Sequence, residues 1–279
     1  MSPSRDAVSS EPGRLAEADS EIVTTSSRVA GLRKSLTDFW LILCGQMLEM
    51  RIRWFWFVVQ MTFVPLVFVV FLWLLLGRTN PEAMLYVITG NVTQSLATAG
   101  MLSLGQEIGS MKDYHTFDFF AALPVGKVAF VMATLVRSML FTLPSALLVL
   151  IVGSLCFGLS FTFHPVLLLV VPLGGLALSG LGALVGFYSP NGRVASLATQ
   201  VLNPLIVFLA PVFVPRSALP PAIAIPSALV PTTHFAEALR AGLRGTVDGQ
   251  TWTALAILAG FSLLSVWIVS SKIEWRSRD

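Results

Sequence analysis

The residues of this chain whose types could do chemistry are few: His115, His164 and His234, Cys44 and Cys156, the Gly126-Lys127 pair, and Arg137. Three imidazoles could hold a metal ion if the fold brought them together. Each sits in a different connection between apolar runs, and the topology derived below divides them between the two sides of a membrane, so no metal site is expected. The cysteines lie more than a hundred residues apart in apolar surroundings, without CxxC spacing, and read as small packing residues. Gly126-Lys127 is followed by Val128 and lacks the upstream glycine of a phosphate loop; neither HExxH nor GxSxG occurs. The chain is therefore not expected to hydrolyse ATP itself, and no catalytic residue is assigned. Arg137 differs from these because it stands inside an otherwise charge-free stretch. A cation within a membrane segment marks a pathway or switch unless it snorkels or pairs, here with Glu107 or a backbone carbonyl.

The elements that must position these groups follow from the scarcity of charge. Of 279 residues, 18 are Lys or Arg and 15 are Asp or Glu, or 12%; a soluble domain carries about 25%. Hydrophobic residues make up 55% and the mean hydropathy is +0.78. Fourteen of the 33 charges precede Trp54, so the remainder is poorer still. The net charge of +3 comes from basic residues scattered singly, which argues against a nucleic-acid partner. About 20 apolar helical residues cross a hydrocarbon core of about 30 Å. On that measure the charge-free runs predict six spans, over residues 54–77, 84–106, 128–156, 166–188, 194–214 and 252–270. With both termini in the cytoplasm, 13 of the 18 basic residues fall inside. The fold class expected is thus an all-α polytopic membrane protein. No apolar run precedes Phe39, which argues against a cleaved signal peptide.

Further segments have distinct patterns. Residues 1–30, rich in Ser, Glu, Asp and Arg, read as a disordered cytoplasmic tail, and 276–279 as the cytoplasmic C-terminus. Over 31–53, Leu36, Phe39, Trp40, Leu43, Met47 and Met50 recur at helical spacing and predict an interfacial amphipathic helix. Residues 106–127 mix Glu107, Lys112, Asp113 and Asp118 with Tyr114, Phe117, Phe119 and Leu123 before Pro124, and predict a short amphipathic helix presented to a partner or anchored among headgroups. In the fourth span, Gly175, Ser179 and Ala183 form a ladder of small residues and Gly182 and Gly186 a GxxxG, which permit close helix packing. Prolines at 204, 211, 215, 220, 221, 226 and 231 break the chain into a re-entrant outer element. A helix capped by Thr232 or Thr233 follows, with Arg240 and Arg244 favoured near its C-terminal end by the helix dipole.

Two stretches resemble the permease subunits of type 2 ABC exporters. One is Phe117-Asp118-Phe119-Phe120-Ala121-Ala122-Leu123-Pro124-Val125; the other, more specific, is Leu219-Pro220-Pro221 followed by Val230-Pro231-Thr232-Thr233-His234-Phe235-Ala236-Glu237-Ala238-Leu239-Arg240, with Val230 where the family commonly has Asn. The resemblance covers roughly residues 31–275. It implies ATP and Mg on a separate ATP-binding subunit present in two copies, no cofactor on this chain, and a second permease half, identical or homologous, in a bacterial inner membrane. It further implies that Met111, Asp113, Tyr114, Phe117, Asp118, Phe119, Leu123 and Pro124 couple to that ATPase, that Phe39, Trp40, Leu43 and Met47 belong to a connector helix, and that Pro220, Pro221, Pro231, His234, Phe235, Glu237 and Arg240 form an outer gate. The expected cargo is a hydrophobic or amphipathic drug, antibiotic or lipid. A permease for a lipid-linked polysaccharide or glycolipid and a non-transporting scaffold or immunity protein are the alternatives.

Overall fold

A computed structural model describes residues 33–48, 51, 54–76, 81–114, 116, 122, 125–210, 212–213 and 220–272. Among them every regular element is helical. Helix α1 covers residues 33–48, α2 Trp54–Leu76 and α3 Pro81–Ala97; a π-helical segment, Thr98–Ser103, joins α3 directly to α4, Leu104–Asp113. Then come α5 (Lys127–Phe157), α6 (Leu167–Tyr188), α7 (Gly192–Leu209), α8 (Pro221–Ser227), α9 (Pro231–Arg244) and α10 (Gly249–Lys272). Three helical stretches among the described residues are long and apolar enough to cross a membrane: Lys127–Leu155, Leu167–Tyr188 and Gly249–Ser271. Helix α2 adds 23 residues without a charge.

The bundle is organised around α6, whose small residues each admit a different neighbour. A Cβ on Gly182 would collide with the carbonyl of Gly100 in the π segment, one on Gly174 with the Phe235 ring of α9, one on Gly175 with Met139 of α5, and one on Gly180 with Ser265 of α10. The long rod formed by α3, the π segment and α4 answers with glycines of its own: Gly105 abuts Thr199 and Gly109 abuts Ala195, both on α7. Backbones thereby come together where lipid gives apolar side chains no reason to associate.

Hydrogen bonds sort the connections into two ends. At one, hereafter the Asp113 end, Asp38 of α1, Gly126, the α6–α7 turn and the last turn of α4 meet. At the other, the Glu82 end, Thr162 and His164 donate their amides to the carbonyls of Leu243 and Gly242 at 2.8 and 3.0 Å, and Arg244 pairs with Glu82 at 3.2 Å. Successive long helices therefore alternate in direction.

Several expectations need correction. The second apolar run does not stop at 106: the helix continues to Asp113, so Met111 and Asp113 close α4 and Tyr114 is its C-cap rather than part of a separate helix. Phe117, Asp118, Phe119, Leu123 and Pro124 lie outside the described residues. Helix α7 ends at Leu209, short of 214, because Ala210 precedes Pro211 and takes an extended conformation. Helix α9 is capped by neither Thr232 nor Thr233. Pro231 occupies its first turn, where a missing N–H is harmless, and Thr233 donates to the Ser227 carbonyl at 2.7 Å. On α1, Trp40 is 60% exposed; the face turned inward is Phe39, Ile42, Leu43 and Met47. Cys44 is exposed, not packed.

A methyl group at position 182 must displace the Gly100 carbonyl, whereas one at Gly260 meets no heavy atom within 4 Å. Gly182→Ala is expected to lower stability by about 1–3 kcal/mol through overpacking. Gly260→Ala is expected to gain up to about 1 kcal/mol from helix propensity. Thermal unfolding in detergent checks both; equal melting temperatures for the two variants would contradict this packing.

Candidate functional site

Two polar nodes, one at each end of the bundle, hold the residues singled out in the sequence. At the Glu82 end the node is built on α9. Of its 14 residues 11 are buried, among them Thr232, Thr233, His234 and Arg240, because it packs between α3, α6 and α10. Pro231 and Phe235 are buried there as well, with Phe235 filling the space left by Gly174. His234 donates from Nε2 to the Ala228 carbonyl at 2.8 Å, which fixes the proton on that nitrogen and ties the α8–α9 connection to α9. Thus Pro220, at the N-cap of α8, and Pro221, at its first position, start a short helix that leads straight into this contact.

Arg240 is the centre of this node. Its Nε donates to Thr89 Oγ1 at 3.0 Å, a terminal nitrogen donates to the Val212 carbonyl, and the guanidinium lies 4.2 Å from the centroid of the Tyr86 ring. One side chain thus joins α9, α3 and the chain just past α7. Thr89 can accept because its own hydroxyl donates back to Leu85 at 2.7 Å. Arg240 is only 6% exposed and acts as a buried cross-link. Arg244, one turn on, is exposed. Glu237 is half-buried on the same helix.

At the Asp113 end the node gathers around α4. Arg137 donates to Glu107 Oε2 at 2.5 Å, with side chains 7% and 37% exposed. This joins α5 to α4, and the buried Arg137 Nε has no hydrogen-bond partner among the described residues. One helical turn before Arg137, Thr134 accepts from Gln46 Nε2 of α1 at 3.1 Å. Lys112 Nζ donates to the carbonyls of Phe187 and Ser189, both at 2.6 Å, and Asp113 Oδ2 accepts from the Gly192 amide at 3.0 Å. Asp38 Oδ2 accepts from the Gly126 amide at 3.2 Å, at the N-cap of α5. Met111 packs on the cluster formed by α1, α4 and α5, while Tyr114 is 80% exposed.

Among the described residues no group of His, Cys, Asp or Glu is arranged to hold a metal. The nodes offer hydrogen bonds, ion pairs, two cation–π contacts on Tyr86 and close backbone packing, which hold helices in register.

Residues 80–270, more than half of the chain, match the family described as ABC-2 family transporter protein. The chain belongs to this family. No curated protein matches it. The ABC-2 match runs from the start of α3 to near the end of α10; it includes neither α1 nor α2, and so contains both nodes apart from Asp38 and Gln46 of α1. Membership makes this chain a membrane transport subunit and not itself an ATPase, whose general partner is an ATP-binding subunit.

Sequence reading missed Tyr86, Thr89 and Lys112 as participants in an ABC-2 permease. The signal for Lys112 was present: opposite charges at 112 and 113 follow an apolar run and need partners. Nothing in the pattern of α3 indicates that Tyr86 and Thr89 share a face with a cation 150 residues later, since the contact spans |i−j| of 151.

Two outcomes follow from these nodes. Removing one member of the Arg137–Glu107 pair leaves the other uncompensated, so Arg137→Met is expected to destabilise by about 2–3 kcal/mol, below the full figure for a buried pair because Glu107 retains some water. Arg137→Met with Glu107→Gln should recover much of that loss, as read from thermal unfolding. At the other node, Tyr86→Phe should keep the stacking on Arg240 while Tyr86→Ala loses about 1–2 kcal/mol. Equal losses from both tyrosine variants would show that the hydroxyl, not the ring face, supports Arg240.

Proposed function

We propose that this ABC-2 chain is the permease half of an exporter with six membrane spans: α2, the rod of α3 through α4, α5, α6, α7 and α10. The Asp113 end and both termini lie in the bacterial cytoplasm, and the Glu82 end faces outward. Lys112, Lys127, Arg193 and Lys272 all belong to the Asp113 end, which supports that orientation. The permease works with two ATP-binding subunits and a second permease half.

The observation that carries the reading is the joining of α1, α4, the start of α5 and the α6–α7 turn at one end by charged and polar contacts. An ATP-binding subunit that pressed on α1, on Met111, Asp113 and Tyr114 and on the segment to Pro124 would move these parts together. The long helices would carry that displacement to the Glu82 end, where Arg240 holds α9 against α3, and His234 and Thr233 tie the end of α8 to it, as the outer gate. ATP binding would thereby alter the path between permease halves by rigid movement of helices.

No acidic side chain of the described residues stands within the proposed spans except near their ends, which favours an apolar or amphipathic cargo such as a drug, antibiotic or lipid. The exposed rings of Phe55, Trp56, Phe63 and Phe71 on α2 favour, as a second reading, a lipid-linked saccharide sliding past aromatic faces.

The test is copurification followed by reconstitution. A tagged chain is expected to bring down a P-loop ATPase whose activity in liposomes rises with an amphipathic drug or lipid. Activity that responds to a glycolipid and to none of the drugs would favour the second reading. If no ATPase copurifies, and substitutions of Phe117 and Asp118 leave function intact, the chain is a scaffold.

A further inference from the structure

Lys112 and Asp113 are neighbours in sequence, opposite in charge, and reach opposite poles of one turn. Helix α6 ends at Tyr188, and its last carbonyls lack partners within the helix. Lys112 supplies one, to Phe187, and binds the Ser189 carbonyl beyond it. Helix α7 begins at Gly192, whose amide is likewise unpaired within the helix. Asp113 accepts from it, while Asn191 caps locally by accepting from Val194 at 2.9 Å. The cation therefore sits at a helix C-terminus and the anion at a helix N-terminus, each matched to the sign of the dipole it meets. The seat is also sterically close: a Cβ on Gly192 would stand 2.6 Å from Asp113 Oδ2 and 3.1 Å from the backbone of Ser110.

We propose that Lys112 and Asp113 are positioning residues that clamp the α6–α7 turn to the end of α4, so that any displacement of α4 is imposed on α6 and α7 together. The proposal rests on the reading of the chain as an ATP-driven permease, and it adds the second turn, residues 188–192, to the parts that must follow the ATPase. In contrast to Asp38, which makes a single contact to Gly126, the clamp grips two helices at once. A displaced α4 cannot leave the turn behind without exposing the Phe187 carbonyl and the Gly192 amide.

Hydrogen exchange by mass spectrometry on the complex with its copurified ATP-binding subunit, free and trapped with ATP and vanadate, tests this. In the natural protein, segments 108–113 and 192–196 are expected to respond together to trapping. In Lys112→Met the response of 192–196 should fall about fivefold while that of 108–113 persists. Lys112→Arg should restore it, which a merely space-filling role would not require. Gly192→Ala, which pushes Asp113 aside, should separate the two segments in the same way and serves if Lys112→Met does not assemble. A full response of 192–196 in both variants, or no restoration by arginine, overturns the clamp. If the natural complex responds at 108–113 but not at 192–196, the clamp alone is wrong. If it responds nowhere, the ATP-driven reading fails and the clamp falls with it.

Discussion

Helices surrounded by hydrocarbon gain little from burying leucine against leucine, so a bundle of this composition must be held by something other than the hydrophobic effect. Here that is the near contact of two backbones, Gly100 in the π segment and Gly182 at the middle of α6. Because α6 also receives Phe235, Met139 and Ser265 at its other small residues, the placement of α5, α9 and α10 depends on this one approach. The π segment is where the rod can afford an irregular backbone: its Ala99 carbonyl accepts from Ser138 Oγ at 3.4 Å. Dispersion and a few directed hydrogen bonds do the rest.

Charge placement made most of the helices legible, since a formal charge in hydrocarbon is expensive and its absence marks a span. The same rule misjudged the second span's end. Glu107, Lys112 and Asp113 signal a boundary in the sequence, yet the helix runs on through them because Arg137, two carbonyls and an amide satisfy them. Spacing alone predicted an amphipathic helix over 31–53, of which α1 covers 33–48; it could not say that Phe39, Leu43 and Met47 face the bundle while Trp40 is exposed, since α1 carries apolar residues around much of its circumference. Arg240 shows the limit most plainly. Its position near a helix end indicated only a favourable dipole, and the packing of α3 against α9 adds a ring and a hydroxyl that meet it.

Polar contacts divide the labour with the glycine packing. Glycines fix how closely the helices approach and leave them free to slide or rotate by small amounts, whereas each node fixes register at one end. The node at the Asp113 end joins ends of helices by charge matched to dipoles; the one at the Glu82 end holds a buried helix through Arg240, His234 and Thr233. Between them the rod of α3 through α4 touches both, so Tyr86 and Thr89 at one end and Lys112 and Asp113 at the other belong to one continuous helix.

The burial of α9 bears on the order in which the molecule is assembled. Its polar side chains, Thr232, Thr233, His234 and Arg240, make it a poor segment to leave in lipid by itself, and its cover is drawn from α3 and α6, made earlier, and from α10, made later. During synthesis α9 therefore has only part of its shelter until α10 is in place. A nascent protein stopped before α10 would hold a polar helix with one of its three supporting neighbours still missing.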